Sequence, residues 1–249
     1  MRICYVSQPA PGGANEDVVV ADNDFVAVID GATAAPGRET GCRHDVAWFA
    51  RQLGAAVAGQ LTVSGAPLVE ALYASIELTR SAHGGDCDLS NPDSPSATVS
   101  MLRQRGAEID YLVLADSPLL LDLDGGLRVV LDDRLDRLPE YSFEAVSRLR
   151  NSPDGFWVAG AVPEAALRAV TGSVPAASLR RAAVLSDGAA RLVERFAKLS
   201  WAELLDLLDT DGPDELIDQT RVVEAYAEVR RGKRYDDATA VLVSGFGGR

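Results

Sequence analysis

No apolar run in this chain comes near the roughly 18 residues that a membrane-crossing helix requires. Residues 1–17 hold one early basic residue and no continuous apolar stretch, so a secretory signal is not expected. Cysteine is scarce: Cys4, Cys42 and Cys87 are odd in number and have no paired spacing. That argues against a disulfide framework or a structural zinc site and suits a reducing cytoplasm. Lysine and arginine nowhere gather into a patch, and the formal charge is −13, a surface that repels nucleic acid and anionic lipid. The expectation is therefore a cytoplasmic protein with neither a nucleic-acid nor a membrane partner. Internal repeats, linkers and low-complexity tracts are missing too. What remains is a single domain over residues 1–249, long enough to bury a core unaided.

What is present is a sequence of short strands, paired helices, more strands and then helices again. Strand patterns cover residues 2–6, 18–20 and 25–29, with a turn at Asp22-Asn23-Asp24. Residues 40–60 read as a helix through Val46, Phe49, Ala50, Leu53 and Val57, and a second follows Pro67. Residues 83–95 are a Gly/Asp/Ser/Pro loop. Strands are expected at 97–102, 109–115, 119–123 and 127–131, with hairpin turns at Gly106 and Asp124-Gly125-Gly126. The stretch 132–178, punctuated by four prolines, reads as a variable, partly helical, flap-like insertion. A buried strand at 182–185 leads into helices near 189–198, 201–208 and 214–229, and a strand at 239–244 closes the chain. Hairpins with helices grouped in pairs argue against a doubly wound parallel sheet. They fit an α+β fold of antiparallel sheets flanked by helices.

Four acidic motifs carry the chemistry: Asn15-Glu16-Asp17, Val28-Ile29-Asp30-Gly31, Ser186-Asp187-Gly188 and Asp236-Asp237-Ala238-Thr239. Carboxylates at strand ends can converge from distant positions, and converging carboxylates need a cation. Asp237 follows Asp236 in an extended segment and should face away, so it is not expected to be a ligand. Thr239 is expected to hold its loop.

With Ser96-Ala97-Thr98-Val99 and Leu114-Ala115-Asp116-Ser117 added, these motifs occur in the order and approximate spacing of the metal-dependent protein phosphatases (PPM, the type-2C serine/threonine phosphatases). The chain resembles a divergent bacterial-type member over essentially its whole length. The resemblance implies an αββα four-layer sandwich, two antiparallel β-sheets flanked by helices, with two Mn²⁺ or Mg²⁺ ions between the sheets. It implies that Asp30 bridges both ions and the Gly31 carbonyl binds one. Asp187 and Asp236 would hold the first ion. Asp17, or Glu16 in the alternative alignment, would hold the second. It also implies a metal-bridging water as nucleophile, acting on phosphoserine or phosphothreonine in a phosphorylated protein or peptide.

The departures bear on activity. The family's phosphate-binding arginine has no counterpart, since no arginine lies between Arg2 and Arg38. Ala32-Thr33-Ala34-Ala35-Pro36 replaces a glycine-rich continuation, and Ala115-Asp116-Ser117-Pro118 stands where Gly-Asp-Ser-Arg is usual. The position of an aspartate that helps hold a third ion is Arg191, so Asp116 is expected either to support that ion or to pair with Arg191. Arg38 or Arg43, at the start of the first long helix, could substitute as phosphate ligand, and His44 could be the general acid. Arg43 and His44 read equally as a solvated helix face, Phe156 and Trp157 as core rather than substrate contacts. Two other functions stay open. One is a pseudophosphatase serving as a binding or regulatory module, and the other a phosphatase of a small phosphorylated metabolite.

Overall fold

The structure is a computed structural model that describes residues 1–32, 37–63, 65–140, 142–228 and 233–247. One five-stranded sheet has the order β1 (Arg2–Gln8), β10 (Ala238–Ser244), β9 (Leu179–Leu185), β6 (Leu119–Leu123), β7 (Gly126–Val130). The other has the order β2 (Val18–Ala21), β3 (Phe25–Ala32), β4 (Ser96–Arg105), β5 (Glu108–Leu114), β8 (Val170–Pro175). Every pairing in both sheets is antiparallel. Helices α1 (Val46–Val63) and α2 (Leu68–Ala82) precede β4, α3 (Phe143–Leu149) lies between β7 and β8, and α4 (Asp187–Glu194), α5 (Trp201–Thr210) and α6 (Pro213–Tyr226) separate β9 from β10.

The two-residue period of the strands builds three apolar layers. Phe25, Ala27 and Ile29 of β3 turn outward onto Phe49, Leu53 and Leu72 of α1 and α2. Val26 and Val28, alternating with them, face Val184 and Val241 of the opposite sheet. In that sheet Leu120, Ala183, Leu185 and Ala240 turn out onto Leu192, Leu204 and Leu216 of α4, α5 and α6. The result is the expected αββα four-layer sandwich, and each strand's alternation reports which neighbour each face meets.

Two local readings change. The first helix starts at Val46 rather than near residue 40, because Gly41 adopts a left-handed backbone (φ 68) and Asp45 caps the helix, accepting from Trp48 N at 2.6 Å. Arg38, Arg43 and His44 therefore sit in the preceding loop. Within 132–178, Val170–Pro175 is a paired edge strand against β5. Phe156 and Trp157 are buried, Phe156 beside Ala115 and Val158 and Trp157 in the layer under α1 and α2. The readings that fall on 33–36 and on the end of the 214–229 helix lie outside the described residues.

Candidate metal centre

Register explains why the acidic motifs meet. Val18 pairs with Ile29, so Asp17, just before β2, comes beside Asp30 near the end of β3. Ala240 pairs with Leu185, so Asp236 enters β10 where Asp187 opens α4 after β9. Asp116 lies in the crossing from β5 to β6, at the end of β5 where Leu114 pairs with Val99. All five stand at one end of the sandwich. The Asp187 backbone amide donates to Asp30 Oδ2 at 3.3 Å, joining the two sheets directly.

Glycine follows two of these aspartates for a steric reason. A Cβ at Gly188 would collide with the Asp237 carbonyl oxygen. A Cβ at Gly31 would lie 2.5 Å from Val46 Cγ1 and 2.9 Å from the Glu16 carbonyl oxygen. Each Asp-Gly pair is thus a place where another motif-bearing or helix-starting segment passes over the backbone. The Asp237 carboxylate is taken up by backbone amides, and its charge also reaches Asp17. Its Oδ1 accepts from Ala10 N and its Oδ2 from Glu16 N, both at 2.7 Å, clamping the approach to Asp17. Thr239 Oγ1 donates to Asp17 Oδ2 at 2.7 Å, which holds the β2 entrance to the β10 entrance.

The electrostatics are those of carboxylates crowded without enough positive charge. Desolvation, followed by the charges of Asp17, Asp187, Asp236 and Asp116, raises Asp30 well above the usual carboxylate range. Burial pushes Asp17 up to about 7, against the lowering effect of its hydrogen bonds from Thr239 and Ser186. Desolvation and the nearby Asp187 charge bring Asp116 to about 7, and desolvation and Asp236 bring Asp187 to about 6. Asp17 Oδ1 is buried with no hydrogen-bond partner. An unpartnered buried carboxylate oxygen among like charges is a donor set that fits a hard divalent cation. The carboxylates are nonetheless more spread than a single-ion site: among the described residues, only Cys42, His44 and Cys87 gather three ligand atoms within 4.8 Å of one another. Of Glu16 and Asp17, it is Asp17 whose charge acts on Asp30, while Glu16 acts on Lys233.

Arg191 does not pair with Asp116. Its Nη2 donates to Asp236 Oδ2 at 2.6 Å and its Nη1 to the buried Glu224 at 2.5 Å, because α4 and α6 pack together beside the β10 entrance. Lys233 Nζ reaches Asp236 Oδ1 at 3.3 Å, so both oxygens of Asp236 face a cation. Burial lowers the Lys233 ammonium, but Asp236, Glu16 and Asp187 outweigh it and hold it above the usual range.

The three basic residues expected at the site have other partners. Arg38 donates to Glu144 at 3.0 Å and lies 3.6 Å from Asp93. Arg43 pairs with Asp86 at 2.9 Å. His44 stacks on Trp48 at 3.8 Å and lies against Cys42 and Cys87. None of the five aspartates is among these partners. Desolvation, then the charges of His83 and Arg43, lowers His44 below the ordinary imidazole value. Sequence reasoning missed Lys233, Glu224 and Glu194. Glu194 lies seven residues after Asp187, two helical turns, a spacing that places both on one face of α4. Desolvation and the charges of Asp116 and Asp187 raise Glu194 above the usual carboxylate range.

A four-layer sandwich with an acidic cleft at one end of its two sheets defines the class of this protein. The family model described as protein phosphatase 2C matches residues 14–221. The chain belongs to that family. Among solved structures it is similar to the PPM Ser-Thr phosphatase MsPP from Mycobacterium smegmatis, determined with cacodylate, at TM-score 0.62 and 18% identity over 98% of both chains. The Mycobacterium tuberculosis serine/threonine phosphatase PstP/Ppp matches at TM-score 0.60 and 18% identity over 97% of both chains. The PstP catalytic domain in complex with two manganese ions matches at TM-score 0.58 and 18% identity, over 97% of this chain and 96% of that one. A search of the curated proteins finds no match.

Proposed function

We propose that this chain is a divalent-metal-dependent phosphatase that hydrolyses phosphoserine or phosphothreonine esters of a protein or peptide. The observation that carries it is the meeting of Asp17, Asp30, Asp187 and Asp236 from four separate segments, with Asp17 Oδ1 buried and unpartnered. Family membership and the manganese-bearing structural relative point the same way. Asp30, Asp17, Asp187, Asp236 and the Gly31 carbonyl are the oxygens to hold two Mn²⁺ or Mg²⁺ ions, and Asp116 would support them. Ions so held supply an activated water and neutralise charge on the phosphoryl oxygens. Thr239 and Asp237 fix the ligand segments. Lys233, kept charged beside Asp236, is the cation best placed to meet a phosphoryl oxygen in the role first considered for Arg38 or Arg43.

The second reading, a pseudophosphatase used for binding or regulation, is favoured by one observation. Arg191 and Lys233 already occupy both oxygens of Asp236, a built-in cation pair where a metal would bind. Hydrolysis of p-nitrophenyl phosphate and of a phosphothreonine peptide, with Mn²⁺ and with chelator, separates the two. Turnover that requires Mn²⁺ and disappears in Asp30→Asn and Asp187→Asn is expected. A folded, Mn²⁺-loaded chain that turns over neither compound would leave the binding-module reading in place.

A further inference from the structure

The two loops that flank the helical pair α1–α2 meet at a cluster of soft ligands. Cys42 Sγ lies 3.3 Å from Cys87 Sγ, and His44 Nδ1 lies 3.5 Å from each sulfur. These three atoms form a nearly equilateral triangle although Cys42 and Cys87 are 45 residues apart. The odd cysteine count and unpaired spacing argued against a zinc site, because the pairing is made by loop geometry rather than by a local motif.

The size of the triangle discriminates between chemistries. Zinc bonds of about 2.3 Å to sulfur and 2.0–2.1 Å to nitrogen, at tetrahedral angles, set donor atoms about 3.5–3.8 Å apart. The two sulfur–nitrogen edges match, and the sulfur–sulfur edge is shorter by about half an ångström. A disulfide would instead need the sulfurs to close to about 2.05 Å, more than an ångström nearer. The loops that present the ligands are held together independently of any ion. Asp88 N donates to the Gly41 carbonyl at 2.7 Å, Asn91 Nδ2 to the Glu39 carbonyl at 2.8 Å, and Arg43 pairs with Asp86. Beside the triangle, His83 is buried, with its ring edge-on to that of His44 at a centroid separation of 5.3 Å. His83 Nδ1 lies 3.0 Å from the Thr79 carbonyl, which assigns its proton to Nδ1, and its Nε2 is buried without a partner.

We propose that Cys42, Cys87 and His44 Nδ1 form a binding site for a thiophilic divalent ion of the zinc class, tying the segment that follows β3 to the loop that follows α2. Binding releases the two thiol protons to solvent and places the imidazole proton of His44 on Nε2. The weak 3.4 Å contact from Arg43 Nε to that nitrogen is given up. Three protein ligands leave a fourth position for water, and His83, edge-on to the His44 ring, carries an unpartnered Nε2 able to accept a hydrogen bond. Thiolate and imidazole select zinc, whereas the all-oxygen aspartate cleft selects Mg²⁺ or Mn²⁺, so one chain can hold both classes of ion without exchange.

Cobalt(II) reads this site directly, because only thiolate ligation gives an intense charge-transfer band in the near ultraviolet. Reduced, chelator-stripped protein, preloaded with excess Mn²⁺ to fill the oxygen site, is titrated with Co²⁺. The expected result is a band that saturates at one ion per chain and is bleached by Zn²⁺. It should be lost in Cys42→Ser and Cys87→Ser, each checked for native circular dichroism, and kept in Cys4→Ser. No band from folded wild-type protein overturns the site, as does a band that survives in Cys87→Ser. A reduced-buffer mass lower by two hydrogens, with Cys42 and Cys87 both unreactive to alkylation, would assign the pair to a disulfide and overturn it as well.

Discussion

At the scale of single residues, the acidic cleft depends on small groups that let segments approach. Gly188 is the sharpest case: a methyl there would collide with the Asp237 carbonyl, and Asp237 in turn holds Ala10 N and Glu16 N. Gly188→Ala should therefore cost stability by about 2 kcal/mol or more, since rigid backbone rather than a flexible side chain must give way. It should also weaken Mn²⁺ binding, because the Asp187 and Asp236 segments are forced apart. Urea unfolding with chelator and calorimetric Mn²⁺ titration read the two effects, and a variant as stable as the parent would refute the close-approach argument. Ala115 is the converse. Its backbone is left-handed (φ 68) at the position where relatives are expected to carry glycine. That strain costs about 1–2 kcal/mol, while burying the methyl returns about 0.8 kcal/mol and replacing glycine reduces chain entropy by a similar amount. The terms nearly cancel, which is why alanine is tolerated there, packed against Phe156 and Val158.

At the scale of elements, α4 and α6 hold the residue that sets this cleft apart. Arg191 of α4 bridges Glu224 of α6, which is 1% exposed, and Asp236 at the start of β10. Arg191→Leu takes from the buried Glu224 one of its ion-pair partners and leaves Arg221, so stability in chelator should fall by about 3 kcal/mol. Mn²⁺ affinity should move the other way, rising by on the order of tenfold when one positive charge is removed beside the ligands. An unchanged Mn²⁺ affinity would show that Arg191 is structural and does not compete with the ion. Elements were legible where period and punctuation agreed: residues 119–123 were read to the residue, and most other core strands and the two long helices were found with ragged ends. Val170–Pro175 was missed because its side chains alternate weakly and only Val174 is fully buried, the signature of an edge strand. The start of α1 was misplaced because apolar periodicity cannot see a left-handed Gly41 followed by an aspartate cap. Arg38, Arg43 and His44 accordingly lie in the loop before α1, where they meet Glu144, Asp86 and Trp48.

At the scale of the whole molecule, the aspartates were legible as motifs, but the arrangement of charge around them was not. Register at the ends of both sheets follows from strand pairing, so the meeting of Asp17 with Asp30 and of Asp187 with Asp236 is encoded in elements that the sequence announces. The pairing of Arg191 with Glu224 and Asp236 and the approach of Lys233 arise through helix packing and a loop, which no local pattern reports, whereas Glu194 could have been found from its helical spacing to Asp187. The assembled cluster has a consequence for stability that the motifs alone do not. Asp17 and Asp116 titrate at about 7 and Asp187 at about 6 in the folded metal-free chain, against 3.8 when unfolded. Between those values the folded chain binds more protons than the unfolded one, so stability falls as pH rises from about 4 through 7. Arg191 and Lys233 offset part of this repulsion, and Glu194 adds to it. Divalent ions neutralise the carboxylates in their charged form, so their stabilising effect should grow over the same pH range. Urea midpoints at pH 5 and pH 8, with Mn²⁺ and with chelator, give the comparison. Mn²⁺ should raise the midpoint clearly at pH 8 and little at pH 5, and Asp17→Asn should flatten the pH dependence in chelator. A metal effect of equal size at both pH values would mean that the aspartates are not the groups whose repulsion the ions relieve.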